Sequence, residues 1–216
     1  LEIAKDRTRD LAIGFRWYLD AMRSAGYAIR QAFCPLLGDN ITSNLREDDL
    51  RGNFLDPFPA LVFAAERQVE IFDYLLQDPT IESIFVPIIV GNHDRMPGTR
   101  RQTHTNRTNR SLCYLLADRL NSYYRDEPRI AFELAYSAHH YTQIYGRDVR
   151  SCHGDGFRYN KGVGGIYVAA RRYIKDLNST RPAALTVFGH HHQFKRDRDW
   201  ISNGSLIGYS EYAANN

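Results

Sequence analysis

Apolar residues at Leu11, Phe15, Tyr18, Leu19 and Met22 recur at the spacing of one helix face, and Gly26 stands where such a helix would stop. The pattern predicts a helix over about residues 8–25. Tyr27–Leu37 then reads as an apolar strand closing on Gly38-Asp39-Asn40, with Pro35 inside it expected to remove a ladder hydrogen bond. Thr42–Pro59 is polar, acidic and rich in Gly, Asn and Pro, which predicts a loop. Leu61, Ala65, Phe72 and Leu76 mark a second helix. Ile84–Val90, dense in Ile and Val, is a strand running into Gly91-Asn92-His93-Asp94. Met96–Arg110 almost lacks apolar residues and reads as a surface loop or an anion-facing one, and Leu112, Leu115, Leu116 and Leu120 make a third helix. Two shorter strands, Ile130–Tyr136 and Thr142–Cys152, lead to His153-Gly154-Asp155-Gly156. A Gly-rich turn at Gly162–Gly165 precedes a helix carrying Ile166, Ala170, Tyr173 and Leu177. Ala184–Phe188 is the last core strand, ending at Gly189-His190-His191-His192, and Ile201–Tyr209 reads as a final hairpin partner. The order of elements is that of an α/β protein, and with neither repeat nor linker residues 1–216 read as one domain.

Composition narrows the class without naming a chemistry. With 216 residues, 43% of them hydrophobic and 25% charged, the chain can bury a sizeable core. No apolar run approaches the roughly 18 residues of a membrane span, so no membrane partner is expected. A formal net charge of +3 permits an anionic ligand without requiring nucleic acid. The cysteines Cys34, Cys113 and Cys152 are odd in number and widely spaced, which argues against a disulfide framework and for a reducing, cytoplasmic compartment. The opening at Leu1, without a secretory signal, reads as the start of a fragment.

The informative pattern is that four strand-like runs each stop at a small polar cluster: Gly38-Asp39-Asn40, Gly91-Asn92-His93-Asp94, Cys152-His153-Gly154-Asp155 and Gly189-His190-His191-His192. Each alone has an ordinary explanation. Gly-Asp-Asn after a strand is usually a turn, a lone histidine is more often a hydrogen-bonded surface group, and adjacent histidines can be a solvated run. Together, behind apolar strands, they place Asp, Asn and His side chains in the loops beyond strand carboxyl ends, where α/β sheets bind ligands. Imidazoles, one carboxylate and a carboxamide with no thiolate suit Mn, Fe or Zn rather than copper(I).

In this order the four clusters resemble the calcineurin-like metallophosphoesterase superfamily, whose signature runs D-x-H, G-D, G-N-H-[DE], a lone H, then G-H-x-H. The similarity covers about Ala28–Ser205, including Asn203-Gly204-Ser205 after the last histidines, and the Gly-rich insert after His153 is similar to bacteriophage and bacterial members. The resemblance implies an α/β/β/α sandwich of two mixed sheets flanked by helices. It implies two divalent metal ions, Mn2+ first and Fe or Zn as alternatives, with Asp39 bridging them, Asn92, His153 and His190 on one, and His192 on the other. It implies that His93 meets the phosphate and that Asp94 orients the His93 imidazole, making these two the catalytic residues. His191, the variable position, is expected to point away if its segment is extended. One block is missing: no Asp-x-His stands upstream of Gly38. Either the motif lies before Leu1, the favoured reading, or the first metal site is degenerate.

The resulting expectation is a metal-dependent phosphoric ester hydrolase, a nuclease or phosphodiesterase among the options, with a phosphate ester as substrate and nucleic acid as one candidate. Arg95, Arg100 and Arg101, in a basic stretch following His93-Asp94 that has no acidic residue, are the expected substrate-binding cations, against an equal reading as a solvated loop. The rivals are a non-catalytic binding or structural protein on a degenerate version of the fold, and a mononuclear zinc hydrolase using His153, His190 and His192. Oligomeric state is not readable from the sequence.

Overall fold

A computed structural model describes residues 1–43, 45, 52–95, 111–158 and 164–206. Helix α1 spans Glu2–Ser24, six residues longer at its start than the apolar spacing predicts. Charge pairs three residues apart, Lys5 with Glu2 and Arg9 with Asp6, line the turns before the apolar face begins. It stops as expected, with Gly26 at φ +89 and its N–H donated back to the Arg23 carbonyl. Helix α2 spans Pro57–Leu76, so the predicted loop ends earlier than Pro59; Pro57 fits the first helical turn because its missing N–H would be unsatisfied there anyway. Helix α3 is Leu112–Tyr123, capped by the Ser111 hydroxyl accepting from the Cys113 N–H, and α4 is Gly165–Thr180.

The smaller sheet holds β1 (Gln31–Phe33), β2 (Ser83–Ile88) and β3 (Ile130–Leu134) in the order β1-β2-β3, all parallel, where two mixed sheets were expected. Strand β1 is far shorter than Tyr27–Leu37, and Pro87 rather than Pro35 sets its carboxyl end. Cys34 and Leu36 donate to the Phe85 and Pro87 carbonyls, so Pro35 between them turns its nitrogen to the open edge and loses nothing. Pro87, on the central strand, cannot return the bond that the Cys34 carbonyl would accept. The ladder therefore breaks and resumes only as the single bridge Leu36–Ile88.

The larger sheet is mixed. Its strands are β4 (His139–Ile144), β5 (Arg147–Cys152), β6 (Leu185–Phe188), β7 (Lys195–Arg196) and β8 (Trp200–Ser202), in the order β4-β5-β6-β8-β7. The predicted strand Thr142–Cys152 is two strands. They form a hairpin whose two central turn residues, Tyr145 and Gly146, have φ of 50° and 71°, and a tyrosine there gives no turn signal in the sequence. The predicted hairpin partner at Ile201 is realised as β8, which pairs antiparallel with β7 and parallel with β6; its predicted continuation to Tyr209 runs outside the described residues.

Helices α1 and α2 cover the small sheet through Leu19, Ile71, Phe72 and Leu75 against Ile84, Val86 and Ile130. Helix α3 joins α2 over Ile88 and Val90 through Leu112, Leu116 and Leu120. On the large sheet, Ile166, Ala170 and Ile174 of α4 pack against Cys152, Phe188 and Trp200. Burying each such large side chain contributes about 1.5–3 kcal/mol. Arg150, 0% exposed, ties β5 to its neighbours by donating to the Tyr141 hydroxyl, Thr186 Oγ1, Asn178 Oδ1 and the Arg181 carbonyl. The sheets meet where the His140 ring lies 5.9 Å from Phe85 and 3.2 Å from the Glu133 carboxylate. No helix among the described residues is long and apolar enough to cross a membrane, and the three cysteines are not joined by a disulfide.

Candidate metal centre

Two pairs of neighbouring parallel strands, β1–β2 in one sheet and β5–β6 in the other, deliver the four polar clusters from their carboxyl ends. The first two loops fit together through glycine. A Cβ on Gly38 would fall 2.6 Å from the Gly91 Cα and 2.7 Å from His153 Nδ1, and a Cβ on Gly91 would collide with Asp39. Gly38 also has φ +88, a conformation open to glycine at little cost.

Asp94, 1% exposed, locks the two loops. Its Oδ2 accepts the N–H groups of Asp39 (2.8 Å) and Gly91 (2.7 Å), and its Oδ1 accepts that of Asn40 (2.9 Å). Burial, then the nearby Asp39 charge, push its pKa up. The expectation that Asp94 orients the His93 imidazole is corrected by this arrangement. His93 Nδ1 instead lies 2.9 Å from the Thr42 carbonyl, which can only accept, so Nδ1 carries the hydrogen and Nε2 is left for a ligand.

The centre itself forms around His153. Its Nδ1 is 2.7 Å from the Leu37 carbonyl and therefore also carries a hydrogen. Its other nitrogen, Nε2, faces three further lone-pair atoms: Asn92 Oδ1 at 2.9 Å, Asp39 Oδ2 at 3.1 Å and His190 Nδ1 at 3.2 Å. A single N–H can satisfy one of them well, so three lone-pair atoms crowd one nitrogen, and with that nitrogen deprotonated the set could hold a cation. Two ligands at right angles on an ion with bonds of about 2.1 Å stand about 3.0 Å apart, close to the three distances measured from His153 Nε2. Asp39, His153 and His190 each offer a donor atom, all within 4.8 Å of one another.

The same field acts on the protons. Burial would raise Asp39, but His153 and the His93 N–H outweigh it and bring its carboxyl down to about 2. Burial would lower His153, yet Asp39 and the Leu37 carbonyl prevail and raise it. Burial, then the neighbouring His153, take His190 down to about 4, so it is neutral near pH 7 and able to ligate.

Of the expected ligands, Asp39, Asn92, His153 and His190 thus come together. His192 shares the electrostatic surroundings of Asp39, His93 and His153 but lies outside the compact group. Asp39 presents one oxygen to the centre, because Oδ1 accepts the His93 N–H at 2.7 Å; a bridge with each oxygen on a different ion is not the arrangement seen. His191 is 7% exposed, its ring centroid 4.5 Å from Phe157 and 5.0 Å from His190. Strand alternation is not what turns it, since His190 and His192 both have positive φ, 67° and 54°. Left-handed backbone in residues other than glycine costs about 1–2 kcal/mol each and gathers at functional sites. Arg95 is half-buried and bridged to Ser111, while Arg100 and Arg101 lie outside the described residues. The carbonyls of Leu37 and Thr42, which fix both histidine tautomers, carry no side-chain signal and escape a motif reading.

Compared with known proteins, the chain matches no family model, no curated protein and no solved structure.

Proposed function

We propose that the chain is a divalent-metal-dependent phosphoesterase built as two sheets flanked by helices in the calcineurin-like manner. The observation that carries the reading is the crowding of Asn92, Asp39 and His190 lone pairs around His153 Nε2. These four residues would hold one ion, with Mn2+ the best fit and Fe or Zn the alternatives. A second ion would draw on Asp39 and His192. When bound, such ions polarise the phosphoryl group and acidify water toward a pKa of about 7.

The protein's own part is positioning. Asp94 fixes the Asp39 and Asn92 loops against each other, and the Leu37 carbonyl points the His153 lone pair inward. His93 is held at Nδ1 by the Thr42 carbonyl, so it is the imidazolium form of this ring whose Nε2–H would hydrogen-bond a phosphoryl oxygen or pass to the leaving oxygen.

Hydrolysis of bis-p-nitrophenyl phosphate and p-nitrophenyl phosphate with added Mn2+ tests the reading, beside a calorimetric Mn2+ titration. Turnover and Mn2+ binding that are both lost in Asp39→Asn support it. Absence of turnover on either ester overturns the enzyme assignment, and absence of Mn2+ binding overturns the metal centre.

A further inference from the structure

The register of the large sheet puts His139, Cys152, Phe188, Ser202 and Lys195 side by side in one row. One residue further toward the carboxyl ends of the parallel strands lies the row Ala138, His153, Gly189, Asn203 and Phe194. This second row contains the hub of the metal centre. At about 4.8 Å per strand, Phe194 stands about 14 Å from His153 along it, and the whole row spans about 19 Å. One end of it is a bare aromatic ring, and a second bare ring stands two residues before the other end in the chain. Phe194 is 66% exposed, and Tyr136, two residues before Ala138, is 60% exposed.

Cations follow the ring at the β7 end. Lys195 and Arg196 are both exposed on this edge strand and follow Phe194 directly in the chain. The acids of this hairpin lie at its far tip, where Asp197 is paired with Arg171. Basic residues on an edge strand also guard against strand addition, but an exposed phenylalanine works against that purpose. Rings that stack unpaired bases, with a cation for the intervening phosphate, are the recognition chemistry of single-stranded nucleic acid.

We propose that the rim carrying Tyr136, Phe194 and Arg196 binds a single-stranded nucleic acid laid across the metal loops. The proposal rests on the phosphoesterase reading for its meaning as a substrate site, but the binding itself can be measured without turnover.

A fluorescein-labelled oligothymidylate of about 15 nucleotides is titrated with the full chain in chelator and followed by anisotropy. Wild-type protein binds, and Phe194→Ala and Tyr136→Ala each weaken binding by about 5- to 150-fold, the range for one stacked base. Arg196→Gln makes affinity fall less steeply between about 50 mM and about 200 mM salt. Trp17→Ala, which removes an exposed ring from α1 far along the chain from the rim, leaves affinity unchanged. Absence of wild-type binding, or equal affinity in all three aromatic variants, overturns the proposal. Because chelator removes any metal, failure here leaves the ester hydrolysis result standing, and failure of hydrolysis leaves strand binding standing.

Discussion

Asp94 lies inside the catalytic-looking motif, yet its geometry is that of a positioning group. Three backbone N–H groups from two loops end on its carboxylate, and the His93 ring finds its partner elsewhere. Asp94→Asn replaces an acceptor oxygen with an NH2 that faces donors, and is expected to cost about 2–3 kcal/mol in chemical denaturation. It should also weaken Mn2+ binding at least tenfold by calorimetry. Nitrogen NMR of the variant should still place the hydrogen of neutral His93 on Nδ1, because the Thr42 carbonyl still accepts it. A hydrogen moved to Nε2 would return Asp94 to the role of steering that ring. The motif identifies Asp94 as polar and important, but apart from the Cys113 thiol its partners are backbone N–H groups, and no residue type in the sequence announces those.

At the level of elements, amphipathic periodicity locates all four described helices, most cleanly α2, which buries Leu61, Ala65 and Phe72 in one stripe, whereas Leu11 and Tyr18 of the face expected for α1 are exposed. Strands were less legible. Break points depend on hydrogen-bond phase, as at Pro87, or on turn conformation, as at Tyr145, and neither leaves a composition signal. Tyr145 is fully exposed at φ +50, so Tyr145→Asn, better suited to left-handed backbone, should raise stability by about 0.5–1 kcal/mol and Tm by about 1–3 °C in a thermal melt. Asp78 joins elements in a different way. Its carboxylate, 2% exposed, pairs with Arg23 at 2.6 Å and Arg16 at 3.5 Å of α1 and accepts from Thr80 before β2. Burial would raise it, but Arg23 and Thr80 outweigh that and hold it at about 2. A depressed carboxylate contributes stability that is complete above its unfolded pKa and lost as pH falls through the folded one. Urea titrations should therefore show Asp78→Asn less stable by about 1–2 kcal/mol at pH 7, a gap that closes between about pH 4 and about pH 2.

For the whole molecule, metal binding and folding are linked. An ion that binds only the folded chain adds about 2.7 kcal/mol at a hundredfold excess over Kd, so Mn2+ should raise Tm by several degrees, reversibly with chelator. His190→Ala should abolish that rise while the metal-free melt changes little, since this half-buried ring sits outside the three packed cores. The four clusters made the centre's membership readable as far as Asp39, Asn92, His153 and His190. What no linear pattern conveys is that their meeting requires two separate sheets to end at one height. Half of the donor atoms belong to each sheet, so a bound ion would work as a rivet through both layers. A distant seam such as Phe85 on His140 then becomes a determinant of affinity, and damage to the join between layers would first be felt as a protein that releases its metal.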